Sequence, residues 1–531
     1  MKKQLQWPLI IFAVGVFMAA LDNGIITSSL TTLNASFGVS PNWGAWTITL
    51  YTLGLAISVP IAGKLSDRYG RKKLFMIEVA LFGLGSLLVA LSPNFTLFLA
   101  ARIIQALGGG GIFIIASSYV LSTFPKEKQG GALGMLGAMN GVAAVLGPNV
   151  GSLLLQLTGN WHWLFLINVP IAILLLLLGY KFIHEEQELS TAKMDWIGVS
   201  FLSLGVLGVM FSFTNLEGVS ILSSMGEPGF YGYLAGGLIM LILFYYWEKR
   251  MELQGASPVI STRMLRVPAF LWTLLIAFFS GAILASVIFI PGFVEQYLGV
   301  SSTASGYWFT PLALAAGAGS VLGGMYVDRK GPIWTLTVAG LISAFGFLLF
   351  ALWVDSLWEM VISSLFVGLG FSVMLGAPVN VLITEDAKDS ERGIALATSS
   401  LFRQMAMAIA PTVFAGFLAR SFSGFGGNIE ASFAEEGIQA DPAVLQQYMG
   451  ETQMATTDVN SIREAFASIP DASVTDALTQ ALELTVNQGY SRLFWSALIF
   501  SVLTAAATLV TGKIRSKKRS QRDQSTEISN L

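Results

Sequence analysis

The sequence predicts an all-α polytopic membrane protein made of two six-helix bundles with two additional helices between them. Hydrophobic residues form 54% of its 531 residues and charged residues only 12%, whereas about 25% of a soluble domain is charged. The apolar residues lie in runs of about 20 or more, the length that crosses roughly 30 Å of hydrocarbon. A polar motif between two of these runs recurs later in the chain, which indicates an internal repeat.

The apolar runs predict fourteen membrane-spanning helices. They lie near 7–30, 43–63, 73–91, 95–122, 129–157, 161–183, 195–214, 230–248, 268–290, 304–327, 332–354, 357–382, 392–420 and 490–512. Six of them precede the two central helices and six follow. The sequence therefore predicts an N-terminal six-helix bundle at 1–183, two additional helices with their linkers at 184–267, and a C-terminal six-helix bundle at 268–531.

The distribution of cations predicts how the helices are oriented in the membrane. With the N-terminus placed inside, most of the 30 lysines and arginines fall on that same side, as the positive-inside rule requires of cytoplasmic segments. A basic tail follows the last helix and contains Lys513, Arg515, Lys517, Lys518, Arg519 and Arg522. We expect a multi-pass protein of the plasma (inner) membrane, in contact with membrane lipids and with both termini in the cytoplasm. We expect no cleavage of the first apolar run, because no small-residue cleavage site accompanies it.

A short polar loop, GKLSDRYGRKK, joins the second and third predicted helices and begins at Gly63. Gly63 and Gly70 allow close backbone approach and a positive φ. The carboxylate of Asp67 can cap backbone N–H groups at a helix end or pair with a neighbouring cation. Arg68 and Arg71 belong to a cluster of cations that favours the cytoplasmic side.

This loop has a reduced second copy, GMYVDRKG at 324–331, between the tenth and eleventh predicted helices. Both copies share the spacing of glycine, aspartate and glycine, although the second lacks the trailing run of cations. The pattern resembles the signature loop of the major facilitator superfamily of transporters. The resemblance implies two bundles that enclose a central cavity and work by alternating access, with the first loop as a cytoplasmic latch. The simpler alternative is an ordinary cationic loop that obeys the positive-inside rule.

Two charges lie deep inside apolar spans, where a charge costs about 3 kcal/mol or more. Asp22 lies about 12 Å from the outer end of the first predicted helix, and Arg102 about 10 Å from the outer end of the fourth. Their matched depths permit an ion pair, and Gln105 one turn further could extend the polar face. The pair offers a route to proton coupling, because a carboxylate can exchange a proton when its cation contact or water access changes. A static buried ion pair that fixes packing is the alternative.

Three segments resemble motifs of the fourteen-helix drug:proton antiporters, the EmrB/QacA-like branch of the superfamily. They are Leu21-Asp22 in the first helix, the stretch RIIQALGGGG that begins at Arg102, and GPNVGS, which begins at Gly147. The last resembles the antiporter motif, whose matching residues here are Gly147, Pro148 and Gly151. Physically, glycine and proline allow helices to pack closely and to bend. The resemblance implies export in exchange for protons, and it covers most of the chain except 421–489.

The sequence departs from that antiporter pattern in two places. Ser152 replaces the second glycine usual in the fifth helix, and the thirteenth helix lacks the deep carboxylate that some multidrug exporters carry. That helix has Arg403 and Gln404 near mid-depth. Arg403 could contact an anionic or zwitterionic substrate, or it could neutralise Asp22. The candidate residues of a substrate cavity are Asn23, Gln105, Asn149, Arg403 and Gln404.

Two further features of the sequence are the insert at 421–489 and the glutamate Glu78. The insert at 421–489 is polar and acidic, so we expect it outside the membrane, with short helices such as 471–488 packed on the outer mouth. It could equally be a solvated decoration without a role in transport. Glu78 lies only about five residues into the third predicted helix, so its side chain could snorkel to the surface. It is the next candidate for the proton carrier after Asp22, and its shallow position makes it the weaker one.

The composition also limits the class of function. The chain has no cysteine and only two histidines, so we expect no disulfide framework, metal site or cofactor. The absence of a Walker loop argues against ATP-driven export, and nothing suggests an enzyme or a nucleic-acid partner. We therefore expect a monomeric, proton-coupled efflux antiporter of small amphipathic organic compounds such as drugs. The alternatives are a lipid or fatty-acid exporter or flippase of the same fold, and a membrane sensor or scaffold that does not transport.

Overall fold

The computed structural model of the chain describes most of its residues. The described ranges are 3–39, 41–44, 46–184, 195–214, 216, 224–256, 258–301, 306–385, 387–388, 391–436, 438, 459–467, 469 and 471–529. Within these ranges every regular element is a helix. Thirteen helices are long and apolar enough to cross a membrane, or fourteen when a bent helix is counted as one span. The predicted all-helical architecture is therefore confirmed.

Six long helices form the N-terminal bundle. They are α1 (Lys3–Phe37), α2 (Trp46–Tyr69), α3 (Arg71–Ala90), α4 (Phe95–Thr123), α5 (Lys126–Thr158) and α6 (Trp163–Phe182). Helix α4 is interrupted at Gly110 and Gly111, between its parts Phe95–Gly109 and Ile112–Thr123. Helix α5 bends by 45° between Ala143 and Leu146. The bend lies one turn before Pro148, whose ring and missing N–H disturb the preceding turn of a helix.

Two helices separate the bundles along the chain, α7 (Trp196–Thr214) and α8 (Pro228–Leu253). They pack against each other, and α7 also contacts α2. The close approach of α7 to α8 occurs at Gly208 and Gly237, where the backbones meet without side chains between them. Helix α8 is exposed over most of its length, as expected for a helix that faces lipid.

The C-terminal bundle repeats the six-helix plan. Its helices are α9 (Pro268–Gln296), α10 (Thr310–Lys330), α11 (Pro332–Leu352), α12 (Leu357–Thr384), α13 (Arg392–Ser423) and α14 (Ala472–Ser529). The fourteen observed spans lie within a few residues of the predicted ones, except for the last. The sequence suggested a separate short helix at 471–488, but this segment forms the first turns of α14, because no helix-breaking residue interrupts it before Gly489.

The two bundles contact each other through α5 with α10 and through α2 with α13. These contacts are closest at the end of the bundles that carries Gly70 and Gly331, which we call the motif face. We call the opposite end, where the short helix Phe425–Glu435 follows α13, the insert face. At the motif face, Gly134 lies against the backbone of Gly324, so helices of different bundles meet at backbone distance.

Candidate functional site

A buried ion pair occupies the interior of the N-terminal bundle. Nη1 of Arg102 on α4 donates to Oδ2 of Asp22 on α1 at 2.6 Å. The exposed fraction is 1% for the arginine side chain and 0% for the aspartate. The structure thus brings together the two deep charges identified in the sequence. Because both are removed from water, their mutual attraction is weakly screened.

Uncharged polar groups from two further helices complete this cluster. Nη1 of Arg102 also donates to Oε1 of Gln105 at 2.6 Å, and Nε2 of Gln105 donates to Oδ1 of Asp22 at 2.8 Å. Ser86 on α3 accepts from Gln105 at 2.7 Å. Asn168 on α6 donates to Oδ1 of Asp22 and to Ser86, both at 3.3 Å. Each of these side chains is buried. We call Asp22, Ser86, Arg102, Gln105 and Asn168 the polar cluster.

An aromatic ring supports the arginine from α2. The guanidinium carbon of Arg102 lies 3.9 Å from the centre of the Tyr51 ring, a distance at which a cation–π contact stabilises a desolvated cation. Among the described residues, the buried Tyr51 hydroxyl has no hydrogen-bond partner, and the same holds for Nε of Arg102 and Oδ1 of Asn168. The polar cluster therefore retains unused donors and acceptors, so it has the capacity to bind water or to change partners.

Three members of this site were missed by the sequence reasoning, namely Tyr51, Ser86 and Asn168. None carries a formal charge at neutral pH, so the search for buried charges passed over them. The available signal was weaker: each is a polar residue within a long apolar run, at a depth comparable to that of Asp22. Their convergence on one carboxylate depends on which helix faces point inward, which depth alone does not give.

The remaining cavity candidates do not join the polar cluster. Asn23 is exposed although it neighbours Asp22, because successive residues of a helix point in different directions. Asn149 and Gln404 are half-buried. Arg403 is 8% exposed, and its Nε has no hydrogen-bond partner among the described residues. Its backbone carbonyl lies against Gly281 of α9, so the residue lies where α13 packs on α9.

The expectation for Glu78 was wrong. The side chain does not snorkel to the surface: it is 4% exposed and accepts the backbone N–H of Gly111 on α4. Its other carboxylate oxygen, Oε2, is buried and has no hydrogen-bond partner in the part of the chain that the structure describes. The physical reason is the gap left by Gly111, which has no side chain and lets the carboxylate enter the bundle beside α4.

The signature loop forms a tight turn between α2 and α3. Gly70 has a φ of 91° and Gly331 in the second copy has 83°, a region in which residues with a side chain are strained. Arg71 is buried and donates from Nε to Ser118 and from Nη1 to Ser122, both at 2.8 Å. Arg68 lies over the neighbouring Tyr69 ring and contributes no bond across the turn in the described part.

The first glycine of each copy lies where two bundles touch. A side chain at Gly63 on α2 would lie 2.6 Å from the Cβ of Ala397 on α13. A side chain at Gly324 on α10 would collide with the backbone of Gly130 on α5. The side chain of Asp67 lies outside the described part of the structure, so its role as a latch stays a prediction.

The second copy shows what its own aspartate does. Oδ1 of Asp328 accepts the N–H of Gly130 at 2.8 Å, and Oδ2 accepts that of Gly131 at 2.9 Å. Both glycines lie in the first turns of α5, near the positive end of its dipole. Asp328 therefore fastens the C-terminal bundle to the start of a helix in the N-terminal bundle.

The segment that resembles the antiporter motif joins α5 to α1. A side chain at Gly147 would overlap the backbone of Gly24, two residues after Asp22. Gly151, one turn further, is also buried. The small residues thus let α5 approach α1 directly beside the polar cluster, and Pro148 accompanies the bend of α5.

The insert is described in part, and its residues 439–458 lie outside the described ranges. The described part consists of Phe425–Glu435, Val459–Ala467 and the start of α14. Arg463 donates to the carbonyl of Gln296 at the end of α9 at 2.7 Å, and Asn428 donates to Thr485 at the same distance. These contacts attach the two short helices to α9 and α14 at the insert face.

Comparison with known sequences agrees with this architecture. The model of the Major Facilitator Superfamily matches residues 12–411. An uncharacterized MFS-type transporter of Bacillus subtilis, YfiU, is 52% identical over 517 residues, covering 97% of this chain and 99% of that protein. Multidrug resistance protein 3 of the same organism is 29% identical over 514 residues, covering 95% and 94%. The multidrug transporter protein MdtP, also of B. subtilis, is 24% identical over 521 residues, covering 96% and 94%.

Solved structures share the same fold at low sequence identity. The human organic anion transporter MFSD10 superposes with a TM-score of 0.59 at 15% identity, covering 94% of this chain and 100% of that one. The proton:xylose symporter XylE gives 0.54 at 16% identity, covering 78% and 94%. At such identities the likeness concerns the fold alone. Because the family model spans most of the chain and the first relative aligns along almost all of it, the chain belongs to the Major Facilitator Superfamily of transporters.

Proposed function

We propose that this protein is a proton-coupled efflux transporter that exports small amphipathic organic compounds by alternating access. The observation that carries the proposal is the fully buried Asp22, held at 2.6 Å by Arg102 within the polar cluster. A buried carboxylate in a transporter bundle is expensive to maintain and is a natural proton site. Two relatives, a multidrug resistance protein and a multidrug transporter, support drug-like substrates by their names.

The orientation follows from the cation distribution. We assign the motif face to the cytoplasm, because the loops there carry most of the lysines and arginines. Close packing of α5 on α10 and of α2 on α13 then seals the cytoplasmic side in this structure. Export requires these contacts to open, so that substrate enters from the cytoplasm, and to close again before release outside.

Protonation of Asp22 would change the polar cluster in a defined way. The proton neutralises the carboxylate and turns one of its oxygens into a donor, so Arg102 loses its counter-ion. Arg102 keeps its bond to Gln105 and its contact with the Tyr51 ring. Because Gly147 holds α5 against α1 beside Asp22, we expect a rearrangement of Asp22 to act on the α5–α10 contact between the bundles.

The substrate would meet both bundles at their shared interface. Half-buried methionines lie there on α5 and α13, namely Met135, Met139 and Met405, and such flexible side chains suit bulky apolar groups. Arg403 on α13 is a buried cation whose Nε lacks a partner. We assign it to the contact with an anionic or zwitterionic group of the substrate.

The decisive experiment uses inverted membrane vesicles with an imposed proton gradient and a panel of amphipathic compounds. We expect gradient-driven uptake by the wild-type protein and none by Asp22→Asn, which should still bind substrate. Asp476→Asn is the matched control, because Asp476 is an exposed aspartate on α14. Equal uptake by Asp22→Asn and wild type would contradict the assignment of the proton to Asp22.

The same assay separates the alternative functions. Pure protein in liposomes that moves only labelled lipid or fatty acid, and none of the amphipathic panel, would point to a lipid exporter or flippase. Pure protein that moves no compound under any gradient would point to a sensor or scaffold. Either result would overturn the proposed export of drug-like compounds.

A further inference from the structure

The glycine run Gly108–Gly111 contains the break in α4 and borders a second buried carboxylate. Glu78 of α3 reaches this break and accepts the N–H of Gly111, and its Oε2 is buried without a hydrogen-bond partner among the described residues. In the described part of the chain no cation forms an ion pair with it. A side chain at Gly111 would meet, besides this carboxylate, the apolar Cβ of Ala62 on α2.

Polar atoms follow the glycine run from the polar cluster to Glu78. The Tyr51 hydroxyl would lie 3.1 Å from a side chain at Gly109, and Oγ of Ser58 would lie 2.9 Å from one at Gly110. The glycines therefore leave room that hydroxyl groups of α2 occupy. Tyr51 stacks on Arg102 at the other end of this series, so one set of polar groups runs from Asp22 towards the motif face.

We propose that Glu78 is a second proton-binding carboxylate of the transporter, linked to Asp22 by the hydroxyls of Tyr51 and Ser58 along the glycine run. The inference rests on the proposed proton-coupled function and extends it. Glu78 lies eight residues before Ser86 of the polar cluster along α3. Glu78 is therefore about 12 Å nearer the motif face than Ser86 is.

The environment of Glu78 suits a group that alternates between two protonation states. One oxygen of Glu78 accepts the N–H of Gly111 at the start of helix Ile112–Thr123, while Oε2 has no partner among the described residues and can carry a proton. The transfer conserves protons: the acid form of Asp22 gives up one proton, each hydroxyl accepts one and passes one on, and the Glu78 carboxylate binds one. Ser58 currently donates to the carbonyl of Leu107 at 2.7 Å, so it must rotate to take part.

Two charged groups could compete for this role, Arg71 on the same helix and Asp22 on α1. Arg71 lies two turns before Glu78 on α3 and is bonded to Ser118 and Ser122. Asp22 is paired with Arg102. Glu78 therefore forms a carboxylate site separate from both.

The first test is spectroscopic and needs no substrate. Infrared difference spectra of the purified, reconstituted protein during a pH titration should contain the C=O band of a buried carboxylic acid. We expect Glu78→Gln to remove one such band, and Glu227→Gln, at an exposed glutamate, to leave the bands of buried acids unchanged. An identical set of bands in wild type and Glu78→Gln would overturn the proposal.

The second test counts protons released on addition of a transported compound. With one proton on each carboxylate before substrate binds, and with the relay refilling Glu78 from Asp22 only afterwards, Glu78→Gln should release about half as many protons per substrate as wild type. Ser58→Ala should keep the count and slow the release, because it removes a relay hydroxyl and no binding site. An unchanged count in Glu78→Gln would also refute a second site.

Two controls distinguish the proposed proton coupling of transport from the proposed proton binding by Glu78. If wild type itself releases no protons with any substrate, the proposed proton coupling fails, while the pH titration still decides whether Glu78 binds a proton. If Glu78→Gln does not fold, Glu78→Asp provides the test: its carboxylate is shorter, so its infrared band should shift in frequency and midpoint. An unshifted band would show that it belongs to another residue.

Discussion

The carboxylate of Asp328 accepts the N–H of Gly130 at 2.8 Å, although the two residues belong to different bundles. The bond places a negative charge at the positive end of α5 and joins the two bundles at the motif face. In the proposed alternating access the bundles separate at this face, so the contact would be lost and its free energy would contribute to the balance between closed and open states.

Asp328→Asn should therefore favour opening of the motif face. A carboxylate at a helix N-terminus stabilises by about 1 kcal/mol, so we expect roughly a fivefold increase in the open population. The chain has no native cysteine, and Ser320→Cys places a buried thiol between α10 and α5. The measurement is the rate at which a thiol reagent labels this residue, with and without Asp328→Asn.

Asp471→Asn is the matched control for that experiment. Asp471 also caps a helix, since its Oδ1 accepts the N–H of Ser473 at 3.0 Å at the start of α14, but it joins no two bundles. Its replacement should leave the labelling rate of the thiol unchanged. Equal labelling in Asp328→Asn and the background protein would mean that Asp328 does not hold the motif face closed.

The pairing of Asp22 with Arg102 can be measured by a double-mutant cycle. Removing one partner of a buried pair costs about 3–5 kcal/mol, because it leaves an uncompensated charge. We expect Arg102→Met alone to lower the unfolding temperature strongly, and the double variant Asp22→Asn/Arg102→Met to recover part of the loss. Thermal unfolding of the purified variants in detergent provides the readout.

The exposed pair Arg263 and Glu391, at 3.5 Å, gives the reference cycle. Surface ion pairs contribute about 0–1 kcal/mol to the free energy of unfolding. Neutralising both Arg263 and Glu391 should therefore change the unfolding temperature little. If the losses of stability in Asp22→Asn and in Arg102→Met simply add in the double variant, the buried pair does not form in the purified protein.

Alanine substitutions at two glycines of α5 distinguish the effect of close helix packing from the effect of helix propensity. Gly147→Ala should lower both stability and transport, because its methyl group would overlap the backbone of Gly24 on α1. Gly141→Ala should be neutral or slightly stabilising, since nothing lies within 4 Å of the added carbon and alanine favours a helix by about 1 kcal/mol. Thermal unfolding and vesicle uptake of the two variants check this contrast. A similar response of both would mean that the approach of α5 to α1 is not tight.

Arg403→Gln should change substrate preference rather than turnover of every compound. If Arg403 contacts an anionic group, its loss removes a charged hydrogen bond worth about 1.5–3 kcal/mol, so the apparent KM for anionic or zwitterionic substrates should rise about tenfold or more. Cationic substrates should be little affected. The control is Arg420→Gln near the insert-face end of α13, and a uniform loss for all substrates would exclude a direct contact.

The sequence predicted the helices well because lipid imposes the pattern. An apolar run of sufficient length has few options other than to cross the membrane as a helix. The matched depth of Asp22 and Arg102 was likewise readable, because depth follows from position in a run.

Whether a side chain points into the bundle or towards lipid was harder to predict than the position of its helix. Glu78 was assigned to the surface from its depth, yet the gap at Gly111 admits it to the interior. Ser86 and Asn168 became significant only once α3 and α6 were seen to point them at Asp22. Such convergence depends on helix rotation and on small residues at crossings, which a single sequence specifies only indirectly.

Helix α14 has one more consequence, which follows from its length. Its 58 residues make a rod about 90 Å long, roughly three times the thickness of the hydrocarbon layer. Thr485 anchors it to the insert at one end, and Arg515 bonds the carbonyl of Leu382 on α12 towards the other. If the C-terminal bundle rocks in the membrane, the two ends of α14 that extend beyond the hydrocarbon layer would move in opposite directions. A molecule that binds the insert at the insert face would restrain the basic tail at the motif face without entering the transport path.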